Sequence, residues 1–159
     1  MALSESSQLG MAMRFDVVVD GYDLGSWSAC KGLTITFKHD IVKELGQHEY
    51  TTYIPGRAEY ATVVLERAME KGDWDKTRSW LAKVSAADWL LETVGMLGLG
   101  EGGGSSAHIT LRDAQLGEVA SWTLANALPT AWKGPQLDAL GKKVAIETLE
   151  LCHEGFLDA

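Results

Sequence analysis

The chain has 159 residues, 46% hydrophobic and 23% charged, which suits one folded domain with an ordinary core and excludes a disordered chain. Its formal net charge of −8 at pH 7 argues against a phosphate-gripping surface, because that needs a basic patch and none is visible. Two cysteines, Cys30 and Cys152, are too few for a disulfide framework, and their apolar, strand-like settings suggest buried free thiols.

Residues 1–12 are polar and Ser-rich and read as a flexible arm ahead of a single domain over 13–159. They lack a basic region before an apolar stretch, and no run approaches a membrane span, so synthesis and folding in the cytoplasm are expected. "MRFDVVVDG" alternates Phe15, Val17 and Val19 against Asp16, Val18 and Asp20 and stops at Gly21: a strand and a turn. "WSACKGLTITFKHDIVKEL" holds a short strand, a break at Gly32, and a longer strand. In the longer strand Ile35, Phe37 and Ile41 face one way, and Thr34, Thr36, Lys38 and Asp40 the other. "LGQH" at 45–48 has turn chemistry and "EYTTYIPG" returns, so residues 33–54 read as a long β-hairpin with one polar face.

"PGR" at 55–57 reads as a turn, followed by the β-branched strand "EYATVVLERAM". Residues 73–94 switch to helical spacing, with Trp80, Leu81, Val84 and Leu91 as the apolar stripe and Asp73 as N-cap. Stretch 95–107 is a Gly/Ser-rich loop. "HITLRD" and "GEVASWTLANAL" form a second hairpin across Asp113–Gly117. The chain then runs through a loop, Leu128–Leu140, into a last strand, Val144–His153. The fold class is mainly β (α+β): a β-sandwich or barrel with one flanking helix and a long hairpin.

No constellation of catalytic, cofactor-binding or metal-ligating residues emerges. Gly98, Gly100 and Gly103 match a dinucleotide fingerprint, but it needs a strand before and a helix after, and here the order is reversed. His39, His48, His108 and His153 have no ligand-like partner at short spacing, and no nucleophile elbow is present. Glu147 and Glu150, three apart in a strand, lie on opposite faces, so each is expected to meet a neighbouring chain or solvent. Among six tryptophans, Trp74, Trp80 and Trp89 fit a helix packed on a sheet and Trp122 fits a core strand. Trp27 and Trp132 sit beside turns, where a large ring with one N–H suits an intersubunit contact.

Several stretches together resemble the tail tube protein family of contractile phages and phage-tail-like injection particles. They are "PGR" before a strand ending in "LERAM", the W-x-L-x-N-A-x-P stretch at 122–129, and "GPQLDA…VAIETLELCHEGF", with the resemblance spanning about residues 14–157. The resemblance implies hexameric rings stacked into a hollow tube, with strands from all subunits closing one barrel around the lumen and the early hairpin reaching the next ring. It implies as partners further copies of the chain, a contractile sheath, baseplate and cap proteins, and a cargo effector or DNA in the lumen. It implies no enzyme activity, cofactor or membrane anchor, and assembly in the cytoplasm into a phage-like particle. A virion tail tube for DNA, or a tube-initiating baseplate adaptor of related fold, is the alternative. Carried over, the resemblance makes Thr34, Thr36, Lys38, Asp40, Glu49 and Thr51 lumen-facing candidates. Trp27, Pro129, Trp132, Pro135, Glu147, Glu150 and His153 become subunit-interface candidates. The Gly-rich stretch 86–107 is longer than that connection usually is, and belongs on the outer, sheath-facing surface.

Overall fold

Alternating apolar residues build the first strand, β1 (Arg14–Val19), whose Val17 and Val19 are fully buried. Asp20 and Gly21 both take positive φ (51° and 77°), the geometry of a two-residue hairpin turn that matches the strand twist. The chain therefore folds straight back into β2 (Tyr22–Trp27), a strand that the alternation alone did not mark. This computed structural model describes residues 14–43, 45–46, 49–86 and 105–157. The arm at 1–12, His48, Trp89, residues 87–94 of the expected helix and the Gly98–Gly103 pattern lie outside the described residues.

Next come β3 (Ala29–Lys31), β4 (Ile35–Val42), β5 (Thr52–Tyr60) and β6 (Val63–Ala68), then the helix α1 (Asp73–Ser85). The chain ends in β7 (Ala107–Arg112), β8 (Glu118–Leu124), β9 (Leu128–Lys133) and β10 (Ile146–Cys152). All described pairings are antiparallel. One sheet runs β2-β1-β7-β8, the second β3-β6-β10-β9, and β4 and β5 form a two-stranded hairpin of their own. Val17, Val19, Ile109 and Leu124 of the first sheet meet Val63, Leu65, Leu149 and Leu151 of the second in one fully buried core. Each such side chain contributes on the order of 1.5–3 kcal/mol by leaving water. Trp80 of α1 plugs the same core.

Four expectations are corrected. Pro55, Gly56 and Arg57 do not turn the chain; they lie inside β5, so the long hairpin runs to Tyr60 and the connection to β6 is Ala61–Thr62. Phe37 pairs with Ala58 but His39 with Pro55, so two β5 residues oppose Lys38 alone. A Pro and a Gly are compatible with a strand at such a bulge, because the ladder is already interrupted there. The helix ends at Ser85, since Ala86 is extended (φ −70°, ψ 153°), and its N-cap is Gly72 in the left-handed region, not Asp73. Asp73 and Asp75 instead occupy the first turn and Lys83 the last, each complementing the helix dipole. Finally, the first half of the Leu128–Leu140 loop is strand β9, with Pro129 beside an irregularity on an edge where a missing N–H costs no ladder bond.

Candidate functional site

The hairpin β4–β5 has two unlike faces. In an antiparallel pair, residues directly opposite share a face. Ile35, Phe37, His39 and Ile41 thus stand with Tyr60, Ala58, Pro55 and Tyr53, and the His39 and Tyr53 rings meet edge-on at 5.0 Å. Beyond the root, where Ile35 and Tyr60 are half-buried, this face is apolar yet uncovered in the single subunit: Phe37 is 66% exposed, Tyr53 59% and Ile41 52%. The other face carries Thr36, Lys38 and Asp40 with Thr52, Ile54 and Glu59, and Lys38 pairs with Glu59 at 2.7 Å. Of the lumen-facing candidates, Thr36, Lys38 and Asp40 share this face, whereas Thr34 precedes β4, and Glu49 and Thr51 precede β5, outside the ladder. Neither outer edge of the hairpin has a partner strand among the described residues.

At the hairpin root, Gly32 (φ 89°) lies so close to the Thr62 carbonyl that a Cβ would sit 2.0 Å from its oxygen. Only glycine permits that crossing. The Ala61 N–H then donates to the Thr34 carbonyl at 3.1 Å and closes the root.

The subunit-interface candidates divide. Trp27 and Glu147 are interior, at 1% and 0% exposure, and leave nothing for a neighbouring chain to touch. Val63, Leu65 and Arg67 share the inward phase of β6, and Glu147, Leu149 and Leu151 that of β10, where Glu147 stands directly opposite Arg67. The two side chains form a buried ion pair. The Arg67 guanidinium also donates to the Leu24 carbonyl at 2.6 Å and Thr77 Oγ1 at 2.8 Å, and lies 4.1 Å over the Trp27 ring. The second Glu147 oxygen accepts from Trp132 Nε1 at 3.0 Å, and Trp132 stacks on Trp74 with centroids 4.6 Å apart. One arginine, which sequence reasoning missed, thereby ties β2, β6, β10 and α1 together. Its signal was a cation in the apolar phase of one strand, matched by a carboxylate in the apolar phase of another.

Glu150 does face away from Glu147, and it pairs with Lys133 of β9. Pro129, Trp132 and Pro135 are half-buried, and His153 turns inward on the Ala61 carbonyl. What remains outward at this end is the β9–β10 connection and its approach to β10, where Leu137 (87%), Leu140 (95%) and Val144 (69%) stand in solvent. The Asp138 carboxylate accepts from the Leu140 N–H at 3.0 Å and its carbonyl from the Gly141 N–H at 3.2 Å, so this apolar display is held in a defined turn.

An open groove of about 620 Å³ runs between β1, β2 and the start of α1, lined by Arg14, Asp16, Asp23, Arg67, Lys76 and Arg112 among others. Burial pushes the Asp16 carboxyl up, but hydrogen bonds from Ser26 and Arg112 and the charges of Arg112 and Arg14 outweigh it and hold it below its ordinary 3.8. Both cysteines are free and half-buried, and burial raises the Cys30 thiol to about 11, which keeps it protonated and unreactive. Among the described residues, no three His, Cys, Asp or Glu side chains gather closely enough to hold a metal, and no helix is long and apolar enough to cross a membrane.

A family model described as T4-like virus tail tube protein gp19 matches residues 11–157. In fold, the chain is similar to a chain of the extended sheath–tube complex of an extracellular contractile injection system, PVC, with TM-score 0.68 and 16% identity over 98% of this chain and 97% of that one. It is similar as well to a chain of the tube-terminating cap of the anti-feeding prophage, with TM-score 0.68 and 17% identity over 97% and 92%. A chain of that prophage's baseplate gives TM-score 0.61 and 21% identity over 99% and 96%. No curated protein matches the chain.

Proposed function

The chain belongs to the T4-like virus tail tube protein gp19 family and is a structural tube subunit, and from that premise we propose that it closes hexameric rings that stack into a hollow tube. The observation that carries this reading is the β4–β5 hairpin, whose two edges have no partner strand among the described residues and whose apolar face is exposed in the single subunit. Unpaired edges of that length are an aggregation liability unless other copies complete the sheet, and a ring of hairpins removes every edge at once. The apolar face then packs on the bodies of neighbouring subunits, and Thr36, Lys38 and Asp40 line the lumen. The balanced Lys38–Glu59 pair and the threonines give a wall that holds no single sign of charge, suited to letting a cargo pass. The Leu137–Val144 display is the second assembly surface and meets the adjacent subunit.

The protein acts in this reading without catalysing a reaction, inside a sheath and between a baseplate and a cap. Relatives of similar fold occur in sheath–tube, cap and baseplate structures, which supports those partners. Negative-stain microscopy of the purified chain, alone and with a co-expressed sheath protein, tests it. Rings and tubes of uniform width are expected. Single rings that never stack support the initiator or terminator variant, and a strictly monomeric protein at high concentration overturns the tube reading.

A further inference from the structure

The hairpin leaves the body through two short connections, one at Gly32–Thr34 and one at Ala61–Thr62, and a third segment is packed against them. His153 Nε2 lies 3.1 Å from the Ala61 carbonyl. A carbonyl only accepts, so Nε2 donates, and Nδ1 is buried with no partner among the described residues. The His153 and Phe156 rings both flank Tyr60 at the end of β5, with centroids 5.5 and 5.1 Å from it and 5.8 Å from each other. Gly155 lets the backbone press on the same ring, because a Cβ there would stand 3.0 Å from Tyr60 carbons.

The far side of the segment is anchored just beyond β8. The Ala125 N–H donates to the Gly155 carbonyl at 2.8 Å, the Glu154 N–H to the Ala125 carbonyl at 2.9 Å, and Asn126 Nδ2 to the Glu154 carboxylate at 2.5 Å. Residues 153–156 thus bridge the first sheet and the hairpin root. An apolar ring at 153 would fill the same space without leaving a buried nitrogen unpaired, which costs free energy. What the imidazole alone adds is the donor to Ala61, the residue whose own N–H closes the root.

We propose that His153 is a positioning residue: acting through Ala61 and Tyr60, it fixes the direction in which the β4–β5 hairpin leaves the body. The clasp is a property of the subunit and stands independently of the tube; only its consequence for assembly rests on the proposed function.

The test is hydrogen–deuterium exchange on the full chain, comparing the wild type with His153→Leu, His153→Gln and Gly155→Ala. In His153→Leu the Ala61 and β4–β5 amides are expected to exchange about tenfold faster, the scale of one lost hydrogen bond to a fixed acceptor, with β1, β6 and β10 unchanged. His153→Gln restores a side-chain N–H donor and is expected to return to within about twofold of the wild type. Gly155→Ala, which crowds Tyr60 and leaves His153 in place, is expected to loosen the same amides through Tyr60; if His153→Leu does not fold, His153→Phe, an apolar ring without the donor, decides the matter. Unchanged hairpin exchange, equal loosening of the core strands, or a Gln variant no better than Leu overturns the proposal. Microscopy of the same samples separates the two ideas. A wild type without tubes but with this exchange pattern sinks the tube and keeps the clasp, and tubes without the pattern do the reverse.

Discussion

Arg67 and Glu147 show what one buried ion pair commits a fold to. Burying both charges costs several kcal/mol per ion, offset only because nearly every donor and acceptor around them is used. Removing one partner alone is therefore the severe change. Arg67→Met or Glu147→Met is expected to destabilise the subunit by roughly 3–5 kcal/mol in denaturant unfolding, and the double change Arg67→Met with Glu147→Met to recover most of it. A double variant as unstable as the sum of the two would show that the contacts to Leu24 and Thr77, and not the pair, hold the network. Asp16 makes a smaller, pH-dependent contribution. Its folded carboxyl lies below the ordinary value of 3.8, so its stabilisation is complete above that value and fades as pH falls through the folded one. The stability gap between the wild type and Asp16→Asn is accordingly expected to be constant near pH 6–7 and to shrink below about pH 4, read from chemical melts. The opposite faces of Glu147 and Glu150 were legible from strand spacing. That one faced inward was not, because alternation gives two sides without saying which is the core. Trp27 misled for a related reason: proximity to a turn says nothing about which way the ring points.

Among the elements, β1, β4, β6 and the β7–β8 hairpin followed from alternation and the last strand emerged close to where it was expected, whereas β2 and β9 were not marked. The failures cluster at special backbone. Pro55-Gly56-Arg57 has the composition of a turn and the geometry of a bulge, and only the partner strand distinguishes the two. Pro129 sits in a strand because that strand is an edge. The hairpin's apolar face is outside the subunit's core, which separates assembly from folding. Phe37→Ser with Ile41→Ser is expected to leave the melting temperature within about 2 °C, since both side chains are mostly exposed, while tubes disappear from micrographs. A large drop in melting temperature would mean that the hairpin face already packs within the single subunit.

At the scale of the whole molecule, two antiparallel sheets and one helix close a core, and the remaining pair of strands is left outside it. Alternation could suggest a sandwich with a long hairpin, but not the order β3-β6-β10-β9, because strand order depends on contacts between residues far apart in the chain. The placement of the candidate site was half legible for the same reason: the polar hairpin face could be read from β4 alone, while the clasp at its root joins Ala61 to His153, 92 residues apart. The bulge in β5 carries one more implication. Two residues stand against Lys38 where one would suffice, so leaving out Arg57 would keep Tyr53, Pro55, Ala58 and Tyr60 on the same face and every cross-strand partner in register. The extra residue adds no contact; it adds bend and twist. If the hairpins close the proposed ring, curvature of its wall is written into each stave, and the bore is set partly within the strand and not only at the joints between staves.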